Sequence, residues 1–194
     1  MAETVATTAH RRTPSSLLGM VIFITSELMF FGALFGAYFT IRAQSGEWPP
    51  PGTPHIETVR TAIFTVFLVA SSFTQHLGVL AIRKGDGDGL LRWTAITIAL
   101  GAVFLAGQGI EYALLFGENF TIGSNVFGTL FFTMTGFHGL HVAGGLLMLA
   151  IVGAKGRMGH FTADRHGPAE AVGYYWHFVD VVWIFLFLVL YILT

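Results

Sequence analysis

The amino-acid sequence predicts an all-α integral membrane protein, a bundle of five transmembrane helices. Of its 194 residues, 54% are hydrophobic and 11% are charged, whereas about 25% of the residues in a typical soluble domain are charged. Five apolar stretches are long enough to cross a bilayer, which needs roughly 20 helical residues. They contain no proline, and they lack the short alternating pattern of a transmembrane β-barrel. The stretches run over about residues 17–41, 60–82, 93–116, 126–152 and 172–193.

The basic residues predict how the helices are oriented in the membrane. Eight of the ten Lys and Arg residues fall on the side of the N-terminus. The positive-inside rule therefore predicts a cytoplasmic tail over residues 1–16 and places Thr194 outside. No loop is long enough to form a domain, so residues 1–194 are expected to form a single membrane domain. The eight residues are Arg11, Arg12, Arg83, Lys84, Arg92, Lys155, Arg157 and Arg165; the other two are Arg42 and Arg60.

Composition excludes several classes of function. The net charge of −1 gives no electrostatic footprint for nucleic acid. The chain has no cysteine, which rules out disulfides, thiolate metal sites and cysteine nucleophiles. Since no loop is long enough to form a domain, any chemistry performed by this chain would take place within the membrane.

Ionisable residues inside the apolar stretches are the candidate functional groups, because charges in hydrocarbon are costly and are usually paired or functional. Glu27 lies about ten residues into the first helix, roughly 15 Å deep at 1.5 Å per residue. His141 and Asp180 fall at a similar depth when counted from the same face of the membrane. We expect Glu27 to pair with His138 or His141, and Asp180 to have a partner of its own. Both a structural contact and a role in carrying protons are compatible with such pairs.

Two pairs with i,i+3 spacing, His138-x-x-His141 and His177-x-x-Asp180, are expected to share a helical face and so raise the possibility of a metal or haem site. A bis-histidine haem could draw on these histidines and on His76. However, the Glu-x-x-His motifs of di-iron bundles and the His-Glu-x-x-His motif of zinc hydrolases are both missing. We therefore predict no metal site and no catalytic residue in this chain.

The third helix carries Gln108 and Glu111 on one face near its outer end. Since only about five residues remain before the helix leaves the membrane, Glu111 is expected to snorkel to the interface or to be hydrogen-bonded locally. Small residues such as glycine let two helices approach each other closely. We expect such packing at Gly32-x-x-x-Gly36 and at Gly144 and Gly145.

Four segments resemble subunit III of cytochrome c oxidase, in the haem-copper oxidase superfamily. The resemblance covers nearly all of residues 17–193, in the same order. Glu27 stands at the position of that family's carbodiimide-reactive carboxylate. The segments are YYWHFVDVVWIFLF at 174–187, TGFHGLHV at 135–142, GMVIFITSELMFFGALFGAYF at 19–39 and QGIEY at 108–112.

The resemblance implies an accessory subunit that binds no haem or copper itself and packs directly against subunit I. Subunit II and further oxidase or supercomplex subunits are implied partners, with the haems and copper held by the partner subunits. The implied role is to stabilise subunit I, support proton uptake and protect against inactivation during turnover, with bound phospholipid guiding oxygen. The mitochondrial form has seven helices, whereas this chain begins at what resembles the third, as in five-helix bacterial members. A bacterial cytoplasmic membrane is therefore the expected location.

Three alternatives remain open from the sequence. The chain is also similar to subunit III of quinol oxidases and to an accessory protein of nitric oxide reductase systems. The presence of Glu27 and the YYWHFVDVVW segment favour the cytochrome c branch. A different class, an independent haem- or metal-binding membrane enzyme, would give a coloured or metal-containing preparation of the purified chain.

Overall fold

The computed structural model describes residues 15–194. The predicted cytoplasmic tail lies outside the described residues except for its last two positions, as do Arg11 and Arg12. The sidedness of the helices, which depends partly on those two arginines, remains a prediction.

Five long helices account for most of the described chain and confirm the predicted all-α class. All five are long and apolar enough to span a membrane. Among residues 15–194 the only β-type pairing is an isolated bridge between Thr162 and Arg165. The helices are α1 (Ser15–Gln44), α2 (Thr58–Arg83), α3 (Gly87–Gly117), α4 (Val126–Arg157) and α5 (Gly167–Phe187), the last continuing into a π-helical turn (Leu188–Ile192).

Several helices extend beyond the predicted apolar stretches because their first or last turns are polar. Helix α3 begins six residues early, where the side chain of Asp86 accepts a hydrogen bond from the backbone N–H of Gly89 at 2.7 Å. Helix α5 begins five residues early, with Pro168 in its first turn, a position where a missing N–H is tolerated. Hydrophobicity locates the part of a helix in hydrocarbon, whereas capping determines where the helix ends.

The bundle has two chemically different ends. The end that carries loops 84–86 and 158–166 is called the basic end, because it holds Lys84, Lys155, Arg157 and Arg165. The end that carries loops 45–57 and 118–125 is called the proline end. Helices α1, α3 and α5 run from the basic end to the proline end, and α2 and α4 run back.

Helix α5 occupies the centre of the bundle and packs on α1, α2 and α4. Two tryptophans fix it to α2: the indole N–H of Trp176 donates to Ser71 at 2.8 Å, and that of Trp183 donates to Thr65 at 2.9 Å. Helix α1 is peripheral and buries only Phe31 and Tyr38.

Glycine packing is confirmed at one of the two predicted places. A Cβ built on Gly145 would lie 2.7 Å from the ring of Trp176, so α4 can approach α5 only without a side chain there. Gly144 lies more loosely, 3.8 Å from the hydroxyl of Tyr175 by the same measure. The prediction for α1 was wrong within the described chain, because a Cβ on Gly32 or Gly36 would meet nothing within 4 Å. Helix α1 turns that face away from its own bundle.

Candidate functional site

The ionisable residues of the membrane-spanning helices lie in three separate groups. The first joins α1 to α4: Oε2 of Glu27 lies 2.9 Å from Nε2 of His141. Both side chains are mostly shielded, with 20% of Glu27 and 15% of His141 exposed. Of the two histidines expected as partners of Glu27, the structure selects His141.

The surroundings of His141 define how many protons the pair holds. Its Nδ1 lies 2.7 Å from the carbonyl oxygen of Phe137. A carbonyl can only accept, so Nδ1 must carry a hydrogen. The contact between Nε2 and Glu27 then contains one proton, either on the imidazole or on the carboxyl group. The hydroxyl of Tyr175 donates to the backbone carbonyl of His141 at 3.0 Å and ties the pair to α5.

His138 is not part of this pair, although it lies one turn away on α4. Its side chain is buried, with 1% exposed, and its ring stacks on Trp183 with centroids 4.9 Å apart. Neither ring nitrogen has a hydrogen-bond partner within the described chain. His138 and His141 therefore do not converge on one partner: His141 contacts Glu27 of α1, whereas His138 packs against Trp183 of α5.

The second group lies between α2 and α5. Ser72 Oγ lies 2.9 Å from Nδ1 of His177 and donates to Oδ2 of Asp180. A hydroxyl has one hydrogen to give and can accept another, so Ser72 links the histidine and the carboxyl group in one chain. Asp180 is 4% exposed, and its Oδ1 has no partner among the described residues. His177 and Asp180 do share a helical face, as their spacing predicts.

Ser72 was missed by the sequence analysis, which assigned Asp180 an unidentified partner. A serine inside an apolar helix is a weak signal, because its hydroxyl can bond to its own backbone. The available signal was that Ser71 and Ser72 lie at about the same depth as His177 and Asp180. Both serines contact α5, Ser71 through Trp176.

The third group lies nearer the proline end and shows that the expectation for Glu111 was wrong in part. Glu111 is 2% exposed and does not reach the interface. Its Oε2 accepts from Arg60 at 3.0 and 3.3 Å and from Thr61 at 3.3 Å. Arg60, in the first turn of α2, reaches inward, so the carboxylate is paired inside the bundle. Gln108 is also buried, and its Nε2 has no partner within the described chain.

The three groups lie apart from one another in the bundle. Among residues 15–194, no set of three His, Asp or Glu side chains is arranged to hold a metal ion. Of the described histidines, His76 and His177 have rings whose centroids are 6.4 Å apart. What the groups do is join helices: α1 to α4, α2 to α5, and α2 to α3.

This fold defines a multi-pass membrane protein whose buried ionisable residues are held in contacts between helices. The match to known proteins is more specific. The family model described as cytochrome c oxidase subunit III covers residues 3–194, and the chain belongs to that family.

Relatives from several bacteria match over most of their length. The chain is 46% identical over 187 residues to the cytochrome c oxidase subunit 3 of Thermostichus vulcanus, covering 96% of this chain and 91% of the relative. It is 44% identical over 177 residues to the protein of that name from Corynebacterium diphtheriae, covering 90% and 86%. Against the Synechocystis protein of that name it is 42% identical over 185 residues, covering 95% and 78%.

Proposed function

We propose that this chain is the accessory, non-redox subunit III of a bacterial cytochrome c oxidase in the cytoplasmic membrane. The observation that carries the proposal is the family match over residues 3–194. The bundle is consistent with it, since three groups of buried polar side chains join its helices. In this role the chain braces subunit I in aerobic electron transport, while haems and copper are held by the partner subunits.

Support for proton uptake is the finer part of the proposed role. Glu27 and His141 hold one proton between them and are partly exposed on the side of the bundle where α1 and α4 meet. A protonatable pair at this position can contribute to the supply of protons for the partner without any redox centre of its own. We expect removal of this pair to cause a loss of oxygen-reduction activity during sustained turnover.

Bound phospholipid is supported by the surface of the bundle. A crevice of about 370 Å³ runs between α3 and α4. It is lined partly by Gly109, Gly136, Gly139 and Ala143, which leave room for an acyl chain. Delipidation followed by mass spectrometry of the complex would measure whether lipid remains with this subunit.

Purification through a tag on this chain, in mild detergent, tests the proposal. The expected result is co-purification of a haem-bearing subunit I and of a subunit II with a copper-binding soluble domain. A subunit II without that copper site would assign the chain to a quinol oxidase. Co-purification with nitric oxide reductase, or isolation of this chain alone with bound haem or metal, would contradict the proposal.

A further inference from the structure

A partly open cavity of about 200 Å³ lies between α2 and α5, towards the basic end of the bundle, and two of its lining residues, His76 and Tyr174, are exposed. Its lining includes Arg83, Glu170, His76 and His177, and Gly173 leaves one wall without a side chain. A cavity of this volume has room for several water molecules. The groups around it are the polar partners that buried water requires.

The mouth of this cavity is charged and open at the basic end. Arg83 Nε lies 2.6 Å from Oε1 of Glu170, and Nε2 of His166 lies 3.1 Å from the same oxygen. The Arg83 side chain is 46% exposed. The ion pair thus stands where the cavity meets the surface.

The inner end of the cavity reaches the Ser72–His177–Asp180 group. His177 lines the cavity and also contacts Ser72, which donates to Asp180. Counting eleven residues along α2 from Arg83, Ser72 lies roughly 16 Å from the mouth.

Buried polar atoms behind two lining residues, His177 and Gly173, have no hydrogen-bond partner among residues 15–194. Oδ1 of Asp180 has none within the described chain, and neither does either amide atom of Gln75, which is fully buried. Gln75 lies directly behind Gly173, since a Cβ built there would be 3.4 Å from its Nε2. Buried polar groups in native proteins are nearly always hydrogen-bonded, to protein or to ordered water.

We infer that this cavity is a water-filled inlet through which water from the basic end reaches the Ser72–His177–Asp180 group. The inlet makes Asp180 accessible to protons from one side of the membrane only, although it lies deep in the bundle. The inference concerns the residues of this chain alone. It stands whether the partner is a cytochrome c oxidase or a quinol oxidase.

Cysteine accessibility tests the inlet directly, because the chain has no cysteine of its own. Ser72→Cys and Val79→Cys place a thiol at the inner end and in the wall of the inlet, with little change in volume. Phe73→Cys and Leu77→Cys are matched controls at similar depth, because these side chains are 70% and 40% exposed on the outer surface of the bundle. Each variant is assayed in the intact complex in oriented vesicles, using a small water-soluble methanethiosulfonate and mass analysis of this subunit.

The thiolate is the reacting form, so a thiol in hydrocarbon reacts slowly and a hydrated one reacts readily. We expect Ser72→Cys and Val79→Cys to be labelled at least about tenfold faster than their controls, and only when the reagent is added at the basic end. Lys84→Cys and Glu118→Cys mark the basic end and the proline end, respectively. Labelling of both inlet variants no faster than their controls, or labelling from the proline end, would overturn the inference. If Ser72→Cys does not assemble, Val79→Cys against Leu77→Cys decides between the same two outcomes.

Discussion

Nε2 of His141 and Oε2 of Glu27 lie 2.9 Å apart and join the peripheral helix α1 to α4. Because Nδ1 of His141 donates a hydrogen bond to the carbonyl of Phe137, the contact between Nε2 and Glu27 holds a single proton. Helix α1 makes few other contacts with α4. This hydrogen bond therefore both holds α1 against α4 and shares a proton between the two side chains. Substitutions of Glu27 can separate the contact between the helices from the sharing of the proton.

Glu27→Gln preserves the hydrogen bond, since an amide can donate to Nε2, but it abolishes proton sharing. Glu27→Ala removes both and leaves His141 with an unpaired nitrogen. We expect both variants to keep their haem content and initial rate of oxygen reduction, because no redox centre is touched. Glu27→Ala should also weaken retention of this subunit, by about 1–3 kcal/mol.

The measurements are the optical spectrum, oxygen consumption over many turnovers and the amount of subunit retained in detergent. Leu28→Ala, at a neighbouring position that is 60% exposed, is the control. Loss of haem from the complex in Glu27→Gln would show that Glu27 is required for assembly and would contradict the expectation.

Asp180 and Ser72 should be energetically coupled. Asp180→Ala is expected to lower stability by about 1–3 kcal/mol, because the hydroxyl of Ser72 loses its acceptor. Ser72→Ala should have a smaller effect. Since the residues are in contact, the double variant should differ from the sum of the single effects by about 0.5–3 kcal/mol. Thermal unfolding of the detergent-solubilised complex, followed through this subunit, measures all three; strictly additive effects would argue against the Ser72 contact.

The ion pair of Arg60 and Glu111 predicts an asymmetric result. Arg60→Met leaves a carboxylate buried without its cation and should cost about 3–5 kcal/mol. Replacing both residues by Met removes the pair together and should restore much of that loss. The expression level and melting temperature of the assembled complex report the difference. If the double variant is as unstable as Arg60→Met, the loss cannot come from an unpaired charge at Glu111.

Two glycines provide a matched test of helix packing. Gly145→Ala introduces a methyl group 2.7 Å from Trp176 and should destabilise the bundle by about 1–3 kcal/mol. Gly32→Ala introduces the same group where nothing lies within 4 Å, so the fold of this chain should be unaffected. Comparing the melting temperature of the isolated chain with that of the complex distinguishes packing inside the bundle from packing against a partner. Equal losses for the two variants in the isolated chain would contradict the structure.

The architecture could be predicted from the sequence because hydrocarbon imposes length and apolarity on each helix. The polar first turns of α3 and α5 could not, since they lie outside the apolar stretches and depend on Asp86 and Pro168. The hydrogen-bond partners of the ionisable residues were harder still to predict from the sequence. Spacing predicts that His177 and Asp180 share a face, but it cannot tell whether Glu27 meets His138 or His141, because that depends on how α4 is rotated against α1.

Two contacts show a more general limit of predicting contacts from sequence patterns. Glu111 was expected to snorkel to the interface or to be hydrogen-bonded locally, yet its partner Arg60 comes from α2, 51 positions away in the sequence. Ser72 is likewise separated from Asp180 by 108 positions. Contacts of this kind are determined by which helices are neighbours, and helix neighbours are not encoded in the periodicity of a single segment.

We propose that this chain is an accessory subunit without a redox centre. The direct measurement is to strip it from the purified oxidase with detergent and to record spectrum, metal content and initial oxygen reduction for each fraction. We expect all haem and copper to remain with the other subunits, their initial rate of oxygen reduction to persist, and the separated chain to be colourless. Haem or a stoichiometric metal leaving with this chain would contradict it.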